Sequence, residues 1–312
     1  NVHSVAISAD GEYIAAGNTD NKVYLFDKDS STPLWNYTTG DWVRSVAISA
    51  DGEYIAAGSD DSNVYLFHKG SSTPLWNYTT MNAVRSVAIS ADGEYIAAGS
   101  GNYKVYLFGK DSSTPLWNYT TGGTVLSLDF SADGEYIVAG GLDYKVYLFH
   151  KDSSTPLWNY TTGGYVRSVA ISADGEYITA GSGDYKVYLF HKDSSTPLWN
   201  YTTGDEVLSV AISADGEYIT AGSADGKVYL FDKDSSTPLW SYSLGSTVYS
   251  VAISADGEYT VAGSADGNVY LFHNNLPPTA TIDSITPSPA RFDAEVTFSG
   301  SGLDSDGTVV AY

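Results

Sequence analysis

The sequence predicts an all-β fold, a seven-bladed β-propeller, on three observations. The hexapeptide Ser-Ala-Asp-Gly-Glu-Tyr begins at Ser8, Ser49, Ser90, Ser131, Ser172, Ser213 and Ser254, so every step is 41 residues with no insertion or deletion. One unit, residues 164–204, divides into four β-rich runs, VRSVAIS, YITAG, KVYLF and PLWNYT, separated by Ala-Asp-Gly and Lys-Asp-Ser-Ser turns. No window sustains apolar residues at i, i+3, i+4 and i+7, so essentially no helix is expected. A repeat of about 40 residues with this pattern is one blade, which cannot bury both faces alone. Closing the ring is expected to supply the missing partner.

Naming the runs strands a to d, each justifies its place. Strands a, b and c are rich in Val, Ile, Tyr and Phe. Strand d opens on proline, at Pro33, Pro74, Pro115, Pro156, Pro197 and Pro238. An outermost strand can spare one N–H, so strand d forms the rim. Strands a to c occur seven times and the Pro-Leu-Trp strand six times; in the seventh place stands Pro278-Thr279-Ala280-Thr281-Ile282-Asp283. We expect the tail from Asn274 to complete blade 7, the alternative being a strand upstream of Asn1, because a bare edge beside Val269-Tyr270-Leu271-Phe272 is adhesive. The domains expected are residues 1–273, the propeller, and residues 274–312, a linker and the start of a second module.

Composition narrows the function. The chain has 312 residues, 37 acids against 15 bases, a net charge of −22 and no cysteine. Nucleic-acid affinity needs Lys and Arg against phosphates, so a nucleic-acid partner is not expected. Disulfides, thiolate metal sites and thiol nucleophiles are excluded, and the redox compartment stays open. No apolar run approaches the roughly 18 residues of a membrane helix. The opening NVHSVAIS has neither the basic region nor the apolar run of an export signal, so any leader or anchor is expected outside this sequence.

The run AGSADGKVYLFD, residues 221–232, resembles the strand b to c signature of WD-repeat propellers, with Phe231 where that family places tryptophan and without its Gly-His dipeptide. KVYLFHKDSSTPLWNY resembles the tryptophan-docking repeat of pyrroloquinoline quinone-type propellers. SVAISADGEYIAAGS resembles the YVTN-type repeats of archaeal surface-layer proteins. The segment from Pro277 to Tyr312, with EVTFSGSG and DSDGTVVAY, is similar to the first half of a PKD domain, an immunoglobulin-like module. Together these resemblances imply a cell-surface or S-layer protein of the kind found in methanogenic archaea.

The chemistry of an enzyme is not apparent. Asp10 and Glu12, with their equivalents in every blade, form a repeated turn, whereas a catalytic pair should break the symmetry. His68, His150, His191 and His273 occupy one repeat position in different blades, too far apart to share a metal ion. His3 has no partner assignable from sequence. No cofactor is expected; weak calcium candidates are Asp304 with Asp306 and Asp60 with Asp61, none in the 12-residue loop spacing that marks a strong site.

Differences between the copies are informative. Antiparallel order puts the a–b and c–d turns on one face, where they hardly vary, and the d–a and b–c turns on the other, where they do. There stand Trp42 and Tyr165, and the residue entering strand a reads His3, Arg44, Arg85, Leu126, Arg167, Leu208 and Tyr249. At one b–c position blades 6 and 7 have Gly226 and Gly267, but blades 3 to 5 have Tyr103, Tyr144 and Tyr185, at a cost of about 1 kcal/mol each if the backbone is kept. The expected ligand surface therefore comprises these three tyrosines with Tyr165, Arg85, Arg167, Arg44 and Trp42, stacking on sugars or a partner loop and engaging carboxylates. Drift after duplication is the competing explanation. Asn36, Asn77, Asn118, Asn159 and Asn200 stand in Asn-Tyr-Thr sequons that strand alternation places towards solvent. The expected function is a non-enzymatic, extracellular binding or structural module for an envelope glycan or surface protein, its oligomeric state undetermined. The rivals are a quinone-dependent or carbohydrate-active enzyme using the channel mouth and an intracellular WD-type scaffold.

Overall fold

A computed structural model describes residues 1–274 and the backbone of two further strands, Thr279–Thr286 and Thr297–Leu303. The chain divides into two compact units, Asn1–Leu271 and Phe272–Tyr312. Among the described residues every regular element is a strand. No helix there is long and apolar enough to cross a membrane.

Unit 1 is a seven-bladed β-propeller. Six sheets have four antiparallel strands in chain order a-b-c-d, as in Val2–Ile7, Tyr13–Asn18, Lys22–Asp27 and Trp35–Thr38 of blade 1. Strand a of every blade lines a central channel of about 410 Å³, and strand d is the rim. Hydrophobic residues of strand c go to both sides. Val23 and Leu25 face blade 2, whose Tyr65 and Phe67 face back, so successive blades share one apolar layer. Strand b must be small for this to work: a Cβ on Gly17 would lie 2.6 Å from Cγ1 of Val43 in the next blade.

Each repeated motif has a structural task. In the Ser-Ala-Asp-Gly-Glu-Tyr turn, Ser8 Oγ donates to Asp10 Oδ1 at 2.5 Å, and the Tyr13 N–H donates to Ser8 Oγ at 3.0 Å. The Glu12 N–H donates to Asp10 Oδ1 at 3.0 Å, and Gly11 takes a φ of 72°. The turn satisfies its own polar groups, which is why it recurs unchanged. The third side chain of strand a in blades 1 to 6 reaches the next blade: Ser4 Oγ accepts from the Val46 N–H at 3.1 Å, and the bond recurs through Val87, Leu128, Val169, Val210 and Val251.

Two features set blade 7 apart among the described residues. Blade 7 has three strands, Val248–Ile253, Tyr259–Ser264 and Val269–His273, and the described part of the tail adds none: Thr279–Thr286 pairs with Thr297–Leu303 in a sheet of its own. Among the described residues the contact between blades 7 and 1 is also looser than the other six. Val5 is 67% exposed, whereas its six counterparts are 5–7% exposed. A Cβ on Gly263 would meet nothing within 4 Å, although its six counterparts each face a valine. Among the described residues no strand d brings inter-blade aromatics from blade 7 to blade 1, and the contact that joins the other blades is not seen there. The PKD resemblance and the Asp304 and Asp306 pair rest on residues largely outside those described.

Candidate functional site

Local backbone geometry explains why one face can vary. Strand a bulges at one position in every blade: Val43 pairs with Ser59 and Ser45 with Gly58, leaving Arg44 without a partner in the ladder. His3, Arg85, Leu126, Arg167, Leu208 and Tyr249 occupy the same bulge. A bulged residue is re-aimed and freed from register, which fits the His, Arg, Leu and Tyr found at this position in different blades.

The three tyrosines keep the left-handed backbone of the glycines they replace. Tyr103, Tyr144 and Tyr185 have φ of 69°, 67° and 71°, against 80° and 86° for Gly226 and Gly267. Each is pinned: the Tyr103 carbonyl accepts from the Thr121 N–H at 2.7 Å and from Thr121 Oγ1 at 2.9 Å, and the pattern repeats with Thr162 and Thr203. The rings stay exposed, at 50%, 39% and 44%. Asn21 and Ser62 hold the same conformation in blades 1 and 2.

The side chains singled out in the sequence fall into two clusters. In the first, Tyr144 meets Tyr165 edge to face with centroids 5.0 Å apart, and Arg167 lies 5.4 Å over the Tyr165 ring. Arg167 Nη2 donates to Glu206 Oε2 at 2.9 Å, while its Nε is buried with no partner among the described residues. The neighbouring Tyr165 phenol pushes the Tyr144 hydroxyl pKa up. In the second, Arg44 donates to Asp60 Oδ2 at 2.6 Å and Arg85 to Asp60 Oδ1 at 3.2 Å. Arg44 also lies 4.7 Å over Trp42, beside His3. Burial first, and then Arg44, lower the His3 pKa, so that ring is neutral at pH 7. Arg85 thus belongs with Arg44, not with the tyrosines of blades 3 to 5. All three arginines already hold carboxylates of the protein.

The calcium reading of Asp60 and Asp61 does not fit. Asp60 faces two guanidinium groups. Asp61 Oδ2 accepts from the Gly40 N–H at 2.7 Å and Tyr65 Oη at 2.6 Å, and its Oδ1 from the Asn63 N–H at 2.9 Å. Asp143, Asp184 and Asp225 repeat the tyrosine and glycine bonds, a brace of the b–c turn that the sequence reading missed. No three metal-ligating side chains cluster among the described residues. His68, His150 and His191 sit against turn glutamates of their own blades, Glu53, Glu135 and Glu176, at 3.0–3.1 Å. The sequon residues Asn36, Asn77, Asn118, Asn159 and Asn200 are exposed on the rim, with the intervening Trp and Tyr turned inward.

One site residue was missed although the copies announce it. Blade 4 reads Leu128-Asp129-Phe130 where most blades read Val-Ala-Ile. Among the described residues Asp129 is the only charged side chain lining the channel. It accepts from the Phe130 N–H at 2.9 Å and the Ile171 N–H at 3.1 Å, and burial raises its pKa to about 6 against the pull of those two bonds.

The family described as IFT122 first beta-propeller matches residues 1–273. The chain belongs to this family. The match spans the seven blades and stops where the repeat stops. No curated protein matches the chain.

Proposed function

We propose that the chain is a non-enzymatic binding module that holds a protein partner on its variable face. The observation that carries this reading is the set of exposed tyrosines kept at left-handed backbone. Three adjacent blades retain a strained, aromatic residue where two others use glycine, and the rings cover little of the protein itself. Tyrosine supplies large contact area at low conformational cost, the property that enriches it at interfaces. The paired arginines argue against an acidic polysaccharide, since a ligand carboxylate would have to displace Asp60 or Glu206. The channel mouth supports binding better than catalysis, because Asp129 has no second titratable side chain beside it in the lining.

Membership of a propeller family supports a partner-binding role. We place the module at the cell surface, as part of an adhesive or S-layer assembly, on the solvent-facing sequons and the likeness of the repeats to archaeal surface-layer proteins. Binding of the purified chain to surface-protein extracts and to a glycan panel, beside a Tyr103→Ala, Tyr144→Ala, Tyr185→Ala triple variant, tests the reading. Capture of a defined surface protein by the parent and not by the variant supports it. Binding that survives in the variant, or that is restricted to glycans, overturns it.

A further inference from the structure

One residue of the channel wall breaks the repeat. Every other blade carries alanine at the strand a position that holds Asp129 in blade 4. The channel there is lined by the next residue of each strand a, isoleucine in six blades and Phe130 in blade 4, and by the alanine two residues further on. That alanine is the second residue of the Ser-Ala-Asp-Gly-Glu-Tyr turn, so the cavity opens towards the invariant face and away from the exposed tyrosines. Backbone bonds between successive turns tie neighbouring parts of the wall together, as from the Ala9 N–H to the Ala50 carbonyl and from the Ala173 N–H to the Ala214 carbonyl, both at 3.0 Å.

The Asp129 carboxylate is held in place from two blades. Its Oδ1 accepts from the Phe130 N–H at 2.9 Å and its Oδ2 from the Ile171 N–H at 3.1 Å, which leaves each oxygen a second lone pair. No cationic side chain lines the channel with it among the described residues. A carboxylate in an apolar wall without a counter-charge is costly, and six sister blades show that alanine suffices there for folding. A pKa of about 6 nevertheless leaves the group largely ionised at neutral pH. The wall serves a metal ion poorly. Calcium takes roughly six to eight oxygen ligands, and the lining hydroxyls of Ser131 and Ser213 are already donated to Asp133 and Asp215.

We propose that the channel binds an organic ammonium ion, its N–H groups on the Asp129 carboxylate and its hydrocarbon body against Phe130 and the isoleucines. The cavity of about 410 Å³ has room for such a body. Around its mouth every blade repeats an aspartate and a glutamate against at most one lysine of the c–d turn, a field that draws cations in. The site is separate from the tyrosine face and stands without it. A free amine and a lysine side chain of another protein share this head group.

The probe is hexylammonium, titrated calorimetrically into the full chain at neutral pH. One ion per chain is expected to bind, and Asp129→Ala should weaken it at least roughly tenfold. Hexanol, of the same length without the charge, should bind at least roughly tenfold more weakly than hexylammonium. Asp129 is the only titratable group in the lining among the described residues, so lowering the pH to about 5 protonates it and should weaken binding to the parent. A second arm uses Nα-acetyl-lysine amide: tighter binding than hexylammonium assigns the site to a lysine side chain, and weaker binding to a free amine. No saturable binding, equal binding by parent and Asp129→Ala, or hexanol bound as tightly as the ammonium ion would overturn the proposal. The comparison of ligands on the parent chain keeps the test valid should the variant fold poorly.

Discussion

The Trp35 indole N–H donates to the carbonyl of Lys69 at 2.7 Å, a bond that leaves blade 1 and ends in the c–d turn of blade 2. Its equivalents at Trp76, Trp117, Trp158 and Trp199 make this rim contact the recurrent link between blades. Trp117→Phe keeps the ring against Phe149 and removes the donor, and is expected to cost about 1 kcal/mol. Trp117→Ala loses the packing as well and should cost about 3 kcal/mol. Urea midpoints of the two variants against the parent check the difference.

Asp60 holds Arg44 and Arg85 at once, and its side chain is 16% exposed. Asp60→Asn leaves both guanidinium groups without their counter-charge. A loss of about 1 kcal/mol is expected in low salt, shrinking at 1 M salt as screening weakens the parent's ion pairs. Thermal melts at the two ionic strengths show whether the gap closes.

Restoring glycine at the left-handed positions separates strain from packing. Tyr103→Gly should raise stability by up to about 1 kcal/mol, because the backbone keeps its φ and loses the Cβ clash. Tyr144→Gly should gain less, since it also forfeits the ring contact with Tyr165. Equal gains in denaturant unfolding would mean that the Tyr144–Tyr165 contact contributes nothing to folding.

Asp129 should make stability fall as pH rises. Its folded pKa is about 6 and its ordinary value is 3.8, so between those values the folded chain keeps a proton that the unfolded chain has lost. The penalty is absent below about pH 4, grows up to pH 6 and is constant above. Its ceiling is about 3 kcal/mol, and contact with channel water lowers it to about 1–2 kcal/mol. Asp129→Ala, which restores the residue of the other blades, should therefore stabilise at pH 7 and give no gain at pH 4. Unfolding midpoints of parent and variant at both pH values decide it.

The blades were legible because every local signal agreed in seven copies. The period placed Ser8 and its equivalents, and the self-capped turn needs only residues within six positions of one another. The prolines marked strand d as the rim, and strand alternation placed Asn36 and its equivalents outward. The positive φ of Tyr103, Tyr144 and Tyr185 followed from glycine in sister blades. What could not be read was the partner of each side chain. Arg85 stands in blade 3 but turns to Asp60 in blade 2, because the bulge re-aims it across the blade boundary. Asp129 broke the repeat in plain view, yet its meaning lay in the channel wall that six other strands build around it.

The sequence alone determined the number of blades, the order of their strands, the faces on which loops emerge and the rim, since each follows from local turn chemistry copied at a constant period. Only the tertiary structure decided which charges pair and that, among the described residues, one carboxylate faces an otherwise uncharged channel. Those outcomes depend on contacts between blades. Such contacts join groups distant in the chain, 34 residues apart for Trp35 and Lys69 and 25 for Arg85 and Asp60, and no local pattern within one repeat records such a pairing.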